Sequence, residues 1–346
     1  MTISSTTLSK ATRLLRSGRL VDATLALQKS FLKGVLGAVP RLVRPPRARR
    51  KPRTGAPLAV QGFEAATFTF QDQAWRYRLY EPPGRDQDAL VPLVVMLHGC
   101  KQDAEDFARG TGMNDVAARE GFLVLYPEQR RKSNGMGCWN WFEPAHQSRE
   151  SGEPAMLAAL VRDVTERRGV DPRRVYVTGL SAGGAMAALL GELFPDVFAA
   201  VGVHSGLAPR AAHDVRSAFS RMRNGPEHTP DDAVPVPTIV FHGEGDDTVV
   251  MAHADAILES QLAAHGEVTL RSVATQEPGA ADHPPRPAHR VRWLDPRGRA
   301  RLESWTVASG PHAWSGGNGA GSYTDPHGPS ASEAMARFFL AHERRE

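Results

Sequence analysis

Residues 174–193 read Arg-Val-Tyr-Val-Thr-Gly-Leu-Ser-Ala-Gly-Gly-Ala-Met-Ala-Ala-Leu-Leu-Gly-Glu-Leu. A β-branched, apolar run from Val175 to Thr178 breaks at Gly179. It resumes after Ser181 as an alanine-rich run of high helix propensity. That pattern is a strand, a sharp turn and a helix, with a serine at the apex. In this context Gly179-Leu180-Ser181-Ala182-Gly183 is a Gly-x-Ser-x-Gly nucleophile elbow. The flanking glycines let strand and helix approach closely, and the turn puts the serine in a strained backbone. The pentapeptide alone carries little weight in a chain with 32 glycines. The strand before it and the helix after it make Ser181 the candidate nucleophile. The helix N-terminus offers the Ala182 N–H to a developing oxyanion.

Outward from the elbow, strands and helices alternate. An antiparallel hairpin is expected over 65–70 and 74–80, and a helix over 103–120. The apolar runs 91–97 and 122–126 suit strands buried on both faces. A loop rich in glycine and tryptophan fills 129–151, and a helix follows over 153–168. A strand over 198–203 ends in His204, and 207–235 is a mostly polar excursion. A strand over 236–241 leads into His242-Gly243-Glu244-Gly245-Asp246-Asp247. Then come a helix over 252–265, a strand over 268–273, a surface loop over 275–290, a last strand over 301–307 and a closing helix over 330–342. The fold class is α/β: an α/β-hydrolase fold with a mostly parallel central sheet, an antiparallel hairpin at its start and helices on both faces. Ligands of such sheets bind beyond the C-terminal strand ends. His98, Ser181, His204, Asp246 and His312 all lie just past strand ends, so they can share one rim.

A serine hydroxyl is a weak nucleophile near neutral pH and needs a base oriented by an anion. The α/β-hydrolase order is serine, acid, histidine. Asp246 follows the strand after the elbow and lies three residues before Val249; Asp247 is the fallback. His312 follows the last strand, within Gly310-Pro311-His312-Ala313-Trp314-Ser315. As a base, His204 comes too early in the order. The second oxyanion N–H is expected from the loop after His98-Gly99, at Cys100, with His98 bracing that loop. Cys100 and Cys138 are the two cysteines of the chain. They leave open either one bridge or two buried thiols, and they exclude a cysteine-based zinc site. No metal and no cofactor is required.

The composition of 41% hydrophobic and 23% charged residues is that of a globular protein and excludes a low-complexity chain. The formal charge of +4 hides a split. Residues 1–55 hold 13 of the 42 Lys/Arg and one of the 38 Asp/Glu, which leaves 29 bases against 37 acids in the remainder. The basic pI therefore belongs to the N-terminal segment, and the acidic body argues against a nucleic-acid substrate. Residues 1–39 read as a basic helical segment, 40–61 as a Pro/Arg-rich linker, and 62–346 as the catalytic domain. No apolar run reaches the ~20 residues that span a bilayer. No uninterrupted apolar segment with a small-residue cleavage site marks a standard secretory signal.

Several blocks together carry a family resemblance: Leu97-His98-Gly99-Cys100, Tyr126-Pro127-Glu128-Gln129, Gly137-Cys138-Trp139-Asn140-Trp141-Phe142, the elbow, and His312-Ala313-Trp314-Ser315-Gly316-Gly317. In order over residues 62–343 they resemble the polyhydroxybutyrate (PHB) depolymerase family of esterases, which is similar to feruloyl and acetyl xylan esterases. The resemblance implies a Ser181-His312-Asp246 triad that hydrolyses short-chain polyhydroxyalkanoate or related esters without cofactor. It supports Cys100 at the oxyanion loop. A Cys100–Cys138 bridge would pin the tryptophan loop there, so that Trp139 and Trp141 line a substrate pocket; core packing is the competing reading. His204 is a further candidate substrate contact. An extracellular location follows from the resemblance, and a cytoplasmic, granule-associated one from the lack of a signal. The alternatives in function are a feruloyl or acetyl xylan-type esterase and, in another class, an inert protein that attaches to a polymer granule or anionic surface through residues 1–55.

Overall fold

A computed structural model describes residues 63–227, 233–266, 270–280 and 284–344. The expectations for 1–39 and 40–61 lie outside the described residues. The described chain belongs to one compact unit, Gln61–Glu346. The hairpin is formed by β1 (Phe63–Phe70) and β2 (Gln73–Tyr80). Next come β3 (Val91–Leu97), α1 (Ala104–Thr111), α2 (Met113–Glu120), β4 (Leu123–Pro127), α3 (Gly152–Arg167), β5 (Val170–Leu180) and α4 (Ala182–Leu193). The second half holds β6 (Ala200–His204), α5 (Val215–Asn224), β7 (Thr238–Gly243), α6 (Ala252–His265), β8 (Arg271–Glu277), β9 (Ala288–Leu294) and β10 (Ala300–Val307). Two short strands, β11 (Trp314–Ser315) and β12 (Thr324–Asp325), and α7 (Ala331–Leu340) complete it.

Ten strands form one sheet in the order β1-β2-β4-β3-β5-β6-β7-β10-β9-β8. The central block from β4 to β10 is parallel. Its strands are apolar on both sides because both faces are covered. Leu93, Val95 and Val177 pack with α3, α4 and α6, while Val94, Met96 and Tyr176 pack with α1, α2 and α7. The alternation of side chains along each strand thus feeds two separate cores.

Four local readings differ from expectation. The helix over 103–120 is two helices, because Gly112 ends α1 in the left-handed region at φ 63°. Residues 207–235 contain α5, which starts at an Asp214/Ser217 capping box; its single buried side chain, Ala218, left little apolar signal. The strand expected over 268–273 is β8, and it runs to Glu277. The supposed loop over 275–290 leads into β9, so the sheet has a second antiparallel edge. That edge is held by charge rather than apolar alternation. Arg290 on β9 bonds Glu303 on β10 at 2.8 Å and Glu277 on β8 at 3.3 Å, and lies over the Trp305 ring.

Candidate active site

At the end of β5 the backbone turns so sharply that Ser181 takes φ 57° and ψ −118°. A non-glycine residue there costs roughly 1–3 kcal/mol. Packing holds it. The Ser181 N–H donates to the His204 carbonyl at 2.9 Å, and the Ser181 carbonyl accepts the Ala185 N–H at 2.9 Å. A Cβ on Gly183 would overlap the Leu97 carbonyl oxygen, and one on Gly179 would overlap the Gly183 backbone. Both glycines of the motif are therefore required by the close approach of α4 to β3 and β5.

Asp246 and His312 come from loops beyond β7 and β10. Those strands pair in parallel, and the loops are stitched together by the Gly245 N–H to the Gly310 carbonyl at 2.9 Å and the Glu244 N–H to the Val307 carbonyl at 3.0 Å. His312 Nδ1 lies 2.7 Å from Asp246 Oδ2. Asp246 Oδ1 accepts the N–H groups of Thr248 at 3.0 Å and Val249 at 2.9 Å. With a carboxylate on Nδ1, the histidine holds its proton there and leaves Nε2 free to accept. Burial pushes the Asp246 carboxyl up. The hydrogen bond and charge of His312, the Val249 N–H and nearby His242 outweigh that, so the net shift is downward and the group stays ionised. Asp247 beside it is exposed.

His98 and Gly99 sit against the elbow: a Cβ on Gly99 would lie 3.7 Å from the Ser181 Cβ. His98 braces the loop by donating from Nδ1 to the Gly99 carbonyl at 2.8 Å and accepting the Gln129 N–H on Nε2 at 3.1 Å. Burial lowers its pKa against the pull of the Gly99 carbonyl, so it stays neutral. Among the described residues neither the Cys100 nor the Ala182 N–H donates a hydrogen bond within the protein. Two unspent backbone donors thus flank Ser181. Cys100 and Cys138 form a disulfide. It ties the loop after β3 to the tryptophan loop, and the Lys101 N–H reinforces the tie by donating to the Met136 carbonyl at 2.8 Å.

The expected substrate contacts are placed differently. Trp139 is fully buried beside the His98 ring, and Trp141 packs edge-on against Phe142 in the same core. His204 is also fully buried, stacked between Phe241 and Trp314. Its Nε2 accepts the Ser315 N–H at 2.9 Å, which anchors the loop that carries His312. Burial, then the charges of His242 and His312, push its pKa down to about 3, against the opposing pull of Asp246. Trp139 and His204 therefore belong to the support of the site rather than to a wall facing substrate. His242 went unassigned in the sequence although the motif contains it. Its Nε2 donates to the Val249 carbonyl at 2.8 Å and lies 3.5 Å from Asp246 Oδ2. Among the described residues no group of three or more His, Cys, Asp or Glu side chains could hold a metal ion.

An α/β-hydrolase architecture with a serine elbow and a histidine–carboxylate pair on one rim defines the class. The sequence model of the PHB depolymerase esterases matches residues 75–276, and the chain belongs to that family. It is similar to poly(3-hydroxyalkanoate) depolymerase C of Paucimonas lemoignei, at 32% identity over 237 residues, which cover 65% of this chain and 55% of that protein. It is 40% identical over 125 residues to a poly(3-hydroxybutyrate) depolymerase of Ralstonia pickettii, covering 34% of this chain and 25% of that protein. A feruloyl esterase B of Neurospora crassa is 32% identical over 154 residues, covering 42% of this chain and 52% of that protein. The chain thus spans between a quarter and about half of the length of these relatives. An acetyl xylan esterase of Aspergillus awamori shares the fold with a TM-score of 0.60 at 17% identity, over 77% of this chain and 94% of that one.

Proposed function

We propose that the protein is a serine carboxylic ester hydrolase acting on short-chain polyhydroxyalkanoate or its oligomers. The observation that carries the chemistry is the His312–Asp246 pair at 2.7 Å on the rim that bears the Ser181 elbow and its two unspent N–H groups. His312 Nε2 takes the Ser181 proton as the serine oxygen attacks the ester carbonyl. The oxyanion rests on the N–H groups of Cys100 and Ala182, where donors fixed in advance stabilise the transition state more than the substrate. Protonated His312, its charge balanced by Asp246, hands the proton to the departing alcohol. Water then attacks the acyl-Ser181 ester by the same route, which returns the enzyme and frees the acid.

Family membership and the two depolymerase relatives support the polyester substrate. The feruloyl esterase relative supports a carbohydrate esterase as the second reading. The Cys100–Cys138 bridge suits an oxidising compartment and supports an extracellular location. The experiment is turnover of hydroxybutyrate oligomers, methyl ferulate and p-nitrophenyl butyrate by wild type and Ser181→Ala. The expected outcome is a preference for the oligomers and loss of turnover by roughly 10³-fold or more in the variant. Unchanged turnover in Ser181→Ala refutes the nucleophile, and a preference for ferulate refutes the polyester substrate.

A further inference from the structure

Behind the oxyanion loop lies a carboxyl group that the mechanism above does not use. Glu153, in the first turn of α3, is fully buried. Its Oε1 accepts from Gln129 Nε2 at 2.6 Å and from Asn140 Nδ2 at 2.7 Å; its Oε2 accepts the Asn140 N–H at 2.7 Å. The backbone fixes the direction of each of these bonds. Asn134 Oδ1 accepts the N–H groups of Met136 at 3.0 Å and Cys138 at 3.3 Å, so its Nδ2 must be what meets Asn140 Oδ1, at 2.8 Å. That leaves Asn140 Nδ2 to face Glu153. Likewise Gln129 Oε1 accepts the Arg130 N–H at 2.8 Å and Nε2 donates to the Cys138 carbonyl at 2.9 Å. Every group that meets the Glu153 oxygens is therefore a donor, which is the environment of an ionised carboxylate.

The partners of Glu153 lead to one place. Gln129 holds the His98 imidazole through its N–H and Cys138 through its side chain. Asn140 and Asn134 hold the N–H of Cys138. His98 bonds Gly99, and Cys138 is bridged to Cys100. One arm ends on the Gly99 carbonyl, which shares a peptide group with the unspent Cys100 N–H, and the other on the Cys100 side chain. We propose that ionised Glu153 is a positioning residue for the oxyanion hole, holding the loops after β3 and β4 so that the Cys100 N–H meets the charge that develops during ester cleavage. This rests on the hydrolase reading above.

Protonation would undo the arrangement, because a new O–H would face a donor and break one of the three bonds. Burial raises the Glu153 pKa to about 7, against the lowering effect of Gln129 and Asn140. The neutral form therefore competes as pH falls through neutrality. The titratable neighbours are Glu143 and His146 in the turn before α3 and His98 at the end of β3. Burial and the Glu153 charge raise Glu143 against the pull of His146, and burial lowers His146 and His98, which disfavours a cation at either histidine.

The test is Glu153→Gln, whose NH₂ must face a donor. The readout is p-nitrophenyl butyrate turnover across pH, with near-UV circular dichroism to establish folding. A group that acts only on the transition state changes kcat and not KM. The expected result is a kcat at least tenfold lower with KM within twofold. On the acid side, log kcat of wild type should fall more steeply than that of Glu153→Gln, because protonating Glu153 costs the wild type activity that the variant has already lost. A folded variant with wild-type kcat and an unchanged acid limb overturns the proposal. Should Glu153→Gln not fold, Gln129→Met decides, because it removes the side chain that links Glu153 to the Cys138 carbonyl: a folded variant with kcat at least tenfold lower and KM within twofold supports the proposal, and wild-type kcat overturns it. Wild type and Ser181→Ala are run alongside. Activity that needs Ser181 but not Glu153 overturns this inference alone, whereas activity that does not need Ser181 overturns the hydrolase reading and this inference with it.

Discussion

At the scale of single residues, two adjacent aspartates separate into different roles. Asp246 is buried, takes two backbone N–H groups on one oxygen and His312 on the other; Asp247 is exposed. Asp246→Asn keeps the shape but can present an NH₂ to His312 Nδ1, which forces the proton to Nε2 and removes the base. The expected loss is roughly 10³–10⁴ in kcat with little change in KM. Asp247→Asn should stay within twofold of wild type. Steady-state kinetics on a small ester measure both, and a loss confined to Asp247→Asn would move the acid to Asp247. Strand-end position and triad order singled out Ser181, Asp246 and His312 as candidates in the sequence, and the structure brings His312 within 2.7 Å of Asp246. The roles of His204, His242 and Glu153 were not legible in the sequence, because a histidine past a strand end or a glutamate in the first turn of a helix looks like any other until burial and bonding partners are known. His204 spends its Nε2 on Ser315, and Glu153 spends both oxygens on loop amides.

At the scale of elements, the loops contribute more to the site than the sheet does. Strands β5, β7 and β10 bring three loops to one edge, as their apolar runs implied. At the candidate oxyanion hole, the loop after β3 is linked to the tryptophan loop by the Cys100–Cys138 bridge and the Lys101 N–H. The disulfide closes 38 residues of chain between Cys100 and Cys138. In the chain-entropy account such a loop stabilises the fold by roughly 4 kcal/mol. The double variant Cys100→Ser, Cys138→Ser keeps the Cys100-position N–H but frees the loop. Its melting temperature should fall by roughly 5–10 °C. Its kcat on p-nitrophenyl butyrate should fall several-fold with KM nearly constant, and wild type treated with a reductant should match it. A variant that melts lower with unchanged kcat would assign the bridge to stability alone. Elements whose pattern is apolar were legible, such as β3 and α4. Those marked by charge or caps were not: β9 pairs with β8 and β10 and sets Arg290 against a glutamate on each, and α5 starts at its Asp214 cap.

At the scale of the whole molecule, the chain divides by charge. The 13 Lys/Arg and single acid of residues 1–55 contrast with an acidic remainder. The pairing of β1 with β2 begins at Phe63, opposite Tyr80, and every residue assigned a role lies at or beyond His98. A chain that begins at residue 56 should therefore fold and hydrolyse p-nitrophenyl butyrate with kcat/KM within twofold of the full chain. Attachment should differ. A segment with 13 Lys/Arg and one acid, or +12, should draw the full chain to an anionic surface at low salt, and the attraction should weaken as the Debye length shrinks from about 10 Å at 0.1 M to about 3 Å at 1 M. Co-sedimentation with anionic vesicles or polymer granules across that salt range measures the difference. The full chain should bind at low salt and release at high salt, and the truncated chain, now net negative, should remain in solution throughout. Equal binding by both chains would place the contact on the body, and loss of small-ester turnover in the truncated chain would make residues 1–55 part of the catalytic fold.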